Sequence, residues 1–216
     1  MIDKEFKVLD NGYVKLVDVM GSDEAIASTA SISYGKEAAK NTKALIRHLM
    51  KNGHTTPFEM CELKFKVRVP MDCWRQWIRH RTANVNERST RYTKALPLMQ
   101  KATEWRTAGG KRLDKETIKE LTEREKKLHD LLTEEYMFRL KCGVVKEQAR
   151  KDLPLSQYTE AYWKMDLHNL LNFLRLRMHK DAQFEIRQYA NIIGKKIVAK
   201  QFPLTWEAFS FFVFNS

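Results

Sequence analysis

The sequence predicts an α+β chain whose strands and helices share one core, and three observations predict it. Residues 5–20 place Phe6 and Val8, then Val14, Leu16, Val17 and Val19, on either side of Asn11-Gly12, which is a hairpin pattern. Residues 60–69 alternate Cys61, Leu63, Phe65, Val67 and Val69 with Glu62, Lys64, Lys66 and Arg68, the period of a half-buried strand. Several other stretches repeat apolar residues three and four apart, as helices do. A length of 216 residues suits one domain with a substantial core, or two small ones. Hydrophobic residues at 43% exclude a disordered chain.

The elements follow in order. Ser22 precedes a short helix over 22–33, and residues 41–52 form another with Leu45, Ile46, Leu49 and Met50 as its core face and Gly53 as its stop. His54-Thr55-Thr56-Pro57-Phe58-Glu59 is a helix-to-strand turn with free hydroxyls. After Pro70, residues 72–81 read as a helix with Asp72 as N-cap. On its wheel Cys73, Trp74, Trp77 and Ile78 share one arc. Gln76 and Arg79 share the opposite one and so face one ligand, and Arg81 falls back on the apolar side, where it needs a partner. Residues 83–91 have no clear period and read as a loop that can offer backbone N–H groups to a phosphate.

Residues 94–113, with Pro97 and Gly109-Gly110, read as a mobile surface excursion. Residues 114–142 are helical, with Leu121, Leu128, Leu131, Leu132, Met137 and Leu140 as the apolar face, until Gly143 breaks the pattern. A short helix over 144–152 carries Arg150 into Leu153-Pro154-Leu155, and residues 156–165 form a strand. Asp166 caps a helix over 167–179. Leu167, Leu170, Leu171, Leu174 and Met178 form its apolar arc, and His168, Asn172, Arg175 and His179 share a polar sector. Arg177 lies at the edge of the apolar arc, where a cation costs free energy unless an anion or carbonyl meets it. A helix over 182–201 follows, then one from Pro203 with an aromatic run, Phe209, Phe211, Phe212 and Phe214, that suits core or subunit contact.

The densest chemistry lies in residues 79–92. Arg79, Arg81, Arg88 and Arg91 stand there among His80, Glu87 and Ser89. Guanidinium forks match phosphate with two parallel hydrogen bonds, so a cluster of them suits a polyanion. Glu87 can accept from ribose hydroxyls or hold an arginine in place. By composition alone the stretch reads first as a solvated basic loop. The net charge of +12 admits nucleic acid or small multiply charged anions as partners and does not choose between them. Cys61, Cys73 and Cys142 are odd in number and lack a Cys-x-x-Cys pair, which argues against a disulfide framework or a zinc site. No apolar run approaches the ~20 residues of a membrane span. Residues 1–5 lack the core of a signal peptide, so cytoplasmic residence is the expectation.

The order of residues in Arg79-His80-Arg81, then seven residues, then Ser89, with Asn86-Glu87 and Arg91-Tyr92 beside them, resembles the signature of the flavin-dependent thymidylate synthases. His54-x-Thr-Pro-Phe-Glu and Ala149-Arg150-x-x-Leu153-Pro154 fit the same family. The resemblance implies a twisted antiparallel sheet flanked by helices in a single domain over residues 1–216, assembled as a homotetramer with active sites shared at subunit junctions. It implies reductive methylation of dUMP to dTMP, with methylenetetrahydrofolate as carbon donor and NADPH as reductant through FAD, and no nucleic-acid partner. Thr56, Arg79, His80, Arg81, Glu87, Asp166, His168 and Asn172 are the implied FAD contacts. Gln76, Arg79, Glu87, Arg88, Ser89, Thr90, Arg91, Arg150 and Arg177 are the implied dUMP contacts, with Arg177 as the activating cation. His54 is implied near the pyrimidine or folate. The other thymidylate synthase class uses a cysteine that follows proline; none of the three here does, so no cysteine nucleophile is expected. Two positions depart from the pattern. Many members have Asn-Ala-Arg at Asp166-Leu167-His168, where a carboxylate cannot donate as an amide does, and many have histidine at Asp181.

Overall fold

The computed structural model describes residues 2–33, 35 and 41–214. Five strands form one antiparallel sheet: β1 (Glu5–Val8), β2 (Gly12–Met20), β3 (Glu62–Pro70), β4 (Asn84–Glu87) and β5 (Tyr158–Asp166), in the order β1-β2-β3-β5-β4. The alternation at 60–69 does what its period demands. Leu63, Phe65, Val67 and Val69 are buried, and Leu16, Phe65 and Trp163 lie in one row across β2, β3 and β5. The opposite face carries Lys15, Lys66 and Tyr162 in register.

Helices α1 (Asp23–Ile32), α2 (Thr42–Lys51) and the single turn α3 (Thr56–Glu59) lie between β2 and β3, and α4 (Met71–Trp77) follows β3. Then come α5 (Lys115–Lys141), α6 (Lys146–Ala149), α7 (Leu167–Arg177) and α8 (Phe184–Ile192). A π-helical stretch, Ile193–Val198, joins α8 to α9 (Ala199–Gln201), and α10 (Pro203–Phe209) follows. The apolar arc of α7 packs on the sheet's buried face, where Phe173 meets Trp77 and Trp163 with ring centroids 5.1 and 5.2 Å apart. Asp166 caps α7 as expected, accepting from the Asn169 N–H at 2.9 Å. No helix among the described residues is long and apolar enough to cross a membrane.

Several expectations are corrected. The hairpin turn is Leu9-Asp10-Asn11, with Leu9 at φ 56°, and Gly12 instead opens β2. Glycine is required there for space: a Cβ at position 12 would lie 1.9 Å from the Tyr189 hydroxyl. The helix expected over 72–81 starts at Met71 and stops at Trp77, and its N-cap is Pro70. Arg79 and Arg81 therefore leave the wheel. Arg81 is exposed rather than set on an apolar arc, Ile78 is 44% exposed, and Gln76 and Arg79 no longer share a helical face. Residues 84–87, expected in a loop, are an edge strand paired with β5. All four are exposed, so the strand is held by backbone pairing and leaves no hydrophobic period to read. The segment expected to be a mobile excursion is stitched down over its first part. Tyr158 N–H donates to the Leu98 carbonyl at 2.9 Å and Gln100 N–H to the Ser156 carbonyl at 2.8 Å. The face of α5 is largely uncovered within one chain: Leu128, Leu131, Met137 and Phe138 are exposed, and of the helix only Tyr136 is buried.

Candidate functional site

The edge strand delivers Glu87 to the rim of a cleft of about 600 Å³, and the chain beyond it turns Arg88, Ser89 and Thr90 along one wall. The 3-10 turn after α6 supplies Arg150 from the other side, and Met71, Leu153 and Tyr158 contribute apolar surface. Arg150 Nη1 donates to Thr90 Oγ1 at 2.8 Å across the cleft. Arg88 N–H donates to the Glu160 carbonyl at 2.8 Å, which turns the chain away from β5 at this residue. Its guanidinium meets the Glu160 carboxylate at 3.8 Å and donates to the Lys94 carbonyl at 3.2 Å. The N–H groups of Ser89 and Thr90 have no acceptor among the described residues, so the cleft offers backbone donors beside two guanidinium groups. That is a place for a dianion. Arg91 lies outside the cleft wall, pairing with Glu147 at 3.4 Å while half exposed.

A second group gathers on α7. His168 and Asn172 line a narrow cleft of about 170 Å³ with His54, Thr55 and Arg175, over a floor that includes Phe58. Arg175 donates to the Asn172 side-chain oxygen at 3.0 Å. Thr56 is exposed one residue away, at the head of α3. Both Asp166 oxygens are occupied by Asn169, through its N–H at 2.9 Å and its side-chain amide at 2.8 Å. This carboxylate works as a helix cap. Asp181 stands 3.4 Å from His179.

The third group is where Arg177 finds its partners. Its Nε donates to His80 Nε2 at 3.1 Å, and an Nη donates to the Gln76 carbonyl at 3.3 Å. The carbonyl is the partner that a half-buried cation needs. Burial first, and then the Arg177 cation, pull His80 from its ordinary 6.5 down to about 4. A neutral His80 can accept from Arg177; a protonated one cannot. The Gln76 side chain bonds to Gln183, which also donates to Asp72 and Glu185. Arg79 and Arg81 are exposed. Glu87, Arg88, Ser89, Thr90 and Arg150 are thus brought together, whereas Arg177, His80 and Gln76 sit elsewhere on the same chain. Sequence reasoning missed Thr159 and Tyr158 on the cleft wall. Their place there depends on β4 pairing with β5, and β4 had no period to reveal it.

The His80 geometry carries a pH dependence. Its folded value lies below the unfolded one, so the unfolded chain binds the extra proton between pH 6.5 and about 4. The resulting stability is complete above 6.5 and is lost as pH falls through that window. An imidazole NMR titration should place the His80 midpoint near 4; a midpoint near 6.5 would contradict the buried contact with Arg177.

Among the described residues, no group of three or more His, Cys, Asp or Glu side chains could hold a metal ion. Residues 15–204 match the family model described as thymidylate synthase complementing protein. The chain is 44% identical to a flavin-dependent thymidylate synthase from Wolbachia pipientis wMel, over 95% of this chain and 76% of that one. It is 48% identical to one from Ehrlichia ruminantium (strain Gardel), over 95% and 73% respectively. A crystal structure of a UMP/dUMP methylase, PolB from Streptomyces cacaoi bound with 5-Br UMP, is 31% identical and has a TM-score of 0.85, covering 96% of this chain and 97% of that one.

Proposed function

We propose, because this chain belongs to the flavin-dependent thymidylate synthase family, that it converts dUMP to dTMP by reductive methylation, taking the carbon from methylenetetrahydrofolate and the electrons from NADPH. The observation that carries the reading is the cleft in which Arg88, Ser89, Thr90 and Arg150 converge beside Glu87. Two cations and two backbone N–H groups with no acceptor among the described residues suit the phosphate of a nucleotide. The apolar wall suits its base, and the volume, about 600 Å³, suits a mononucleotide. No histidine is among the described residues that line the cleft, so Ser89 is assigned a role in binding.

FAD, when bound, supplies the hydride that completes the methyl group. His168, Asn172, Thr56 and the exposed Arg79 and Arg81 fit such a ligand in kind, being amide, imidazole, hydroxyl and guanidinium donors. A cleft of about 170 Å³ takes only part of a dinucleotide, which supports a site to which other copies contribute surface. Arg177 would stabilise negative charge on the uracil ring as its carbon becomes nucleophilic. It stands apart from Arg150 within one chain, and this separation supports a homotetramer whose sites draw on several protomers. The uncovered apolar face of α5 supports the same assembly. No thiol attack is needed. Cys61 and Cys73 are buried, with burial pushing Cys61 up to about 11 and Cys73 higher still, and none of the three cysteines lines the cleft. Three free thiols also suit a cytoplasmic enzyme.

The purified protein should be yellow, and dUMP should perturb its flavin spectrum. An anaerobic assay omitting dUMP, methylenetetrahydrofolate and NADPH in turn should form dTMP only with all three. A colourless protein, or dTMP formed without the folate, would sink the reading.

A further inference from the structure

Glu87 ends β4 at the edge of the cleft, and both of its carboxylate oxygens are already engaged. The Trp74 indole Nε1–H donates to Oε2 at 2.9 Å, and the Thr159 hydroxyl donates to Oε1 at 2.8 Å. The donors come from α4 and β5, so they fix the orientation of the carboxylate as well as its position. Trp74 is 1% exposed and Thr159 6%, whereas Glu87 itself stays exposed. Burial does not force the pairing. Trp77 and Trp163 are equally buried, yet their Nε1–H groups find no partner among the described residues.

A carboxylate has about four lone-pair sites, and two anchors leave about two for a ligand. A phosphate would be repelled there, but the group next to a phosphate bound at Ser89 and Thr90 is a deoxyribose carrying one neutral hydroxyl donor. Arg88 does not take up the carboxylate, because Glu160 and the Lys94 carbonyl engage it instead. We infer that Trp74 and Thr159 are positioning residues that present Glu87 as a fixed acceptor for a sugar hydroxyl of the nucleotide. The inference rests on the cleft being the dUMP site.

Two measurements test it. In 15N–1H spectra, Glu87→Ala should shift the Trp74 indole cross-peak strongly and leave those of Trp77 and Trp163 nearly in place. In steady-state assays of the flavin-loaded enzyme, Thr159→Val and Trp74→Phe should each raise the KM for dUMP about 10-fold with little change in kcat, the pattern of lost uniform binding. Thr159→Ser should restore it. The 2′,3′-dideoxy analogue of dUMP should bind the wild type more weakly and lose nothing further in Thr159→Val. An unmoved indole peak, a fall in kcat at constant KM, or an equal loss for the dideoxy analogue would overturn the inference. If the wild type fails to bind dUMP, the functional reading falls and the sugar assignment with it, while the indole shift still judges the anchor by itself.

Discussion

Replacing Arg177 by alanine is expected to lower dTMP turnover roughly 100- to 1000-fold while the protein still folds and retains flavin. The size of the effect follows from where the guanidinium stands. It is half-buried, and burial pulls its pKa below the usual arginine value without removing its charge at neutral pH. Two of its five donors are spent on His80 and the Gln76 carbonyl, which fix the plane of the fork. The remaining donors can meet charge developing on a substrate, in surroundings where that charge is poorly screened. Arg177→Lys keeps the cation and loses the fork, so it should recover only part of the rate. The loss should appear in kcat, because the charge it meets develops only during reaction. Near-normal dTMP formation by Arg177→Ala would refute the assignment.

Asp23→Ala is expected to destabilise the fold by about 3 kcal/mol, the cost of leaving buried donors without an acceptor. Asp23 is 3% exposed and sits in the first turn of α1, yet its carboxylate serves α10. It accepts from Leu204 N–H at 2.7 Å, Thr205 N–H at 3.1 Å and the Thr205 hydroxyl at 2.7 Å. Those amides are orphan donors of a helix that begins at Pro203, whose own N-cap, Phe202, has no side chain able to accept. The negative charge also meets the positive end of the helix dipole. Asn at position 23 keeps one accepting oxygen and should cost less than Ala. Urea unfolding should show the order wild type, Asn, Ala, and for a chain of this length a loss of 3 kcal/mol should lower Tm by roughly 10 °C. A shift under about 0.5 kcal/mol, the size of an ordinary surface change, would show that the contact is not what holds α10.

What the sequence disclosed and what it hid follow one physical rule. Strand β3 and helix α7 were legible because burial imposes a period on the chain, and Phe65 and Leu170 are where that period puts them. The Arg79–Tyr92 stretch was legible as chemistry because guanidinium groups are dense there. Strand β4 was hidden because all four of its residues are exposed, so its pairing with β5 leaves no hydrophobic period. The length of α4 was overread, since the apolar arc was continued through Ile78, which lies outside the helix and is 44% exposed. Asp23 at Thr205, Trp74 at Glu87 and Arg177 at His80 are contacts that only the tertiary fold creates. Arg177 was singled out as needing a partner, and the carbonyl of Gln76 meets that need; which residue would supply it was not written in the local pattern.

Position 12 is closed to any side chain from two sides, by the Tyr189 hydroxyl and by the Val8 carbonyl. That hydroxyl also donates to the Arg68 carbonyl at 2.8 Å, so the ring cannot swing aside without releasing the strand next door. Randomising position 12 by itself should return glycine among the functional survivors. Shortening residue 189 alone should not admit larger residues, because the Val8 carbonyl would still lie 2.7 Å from a Cβ at position 12.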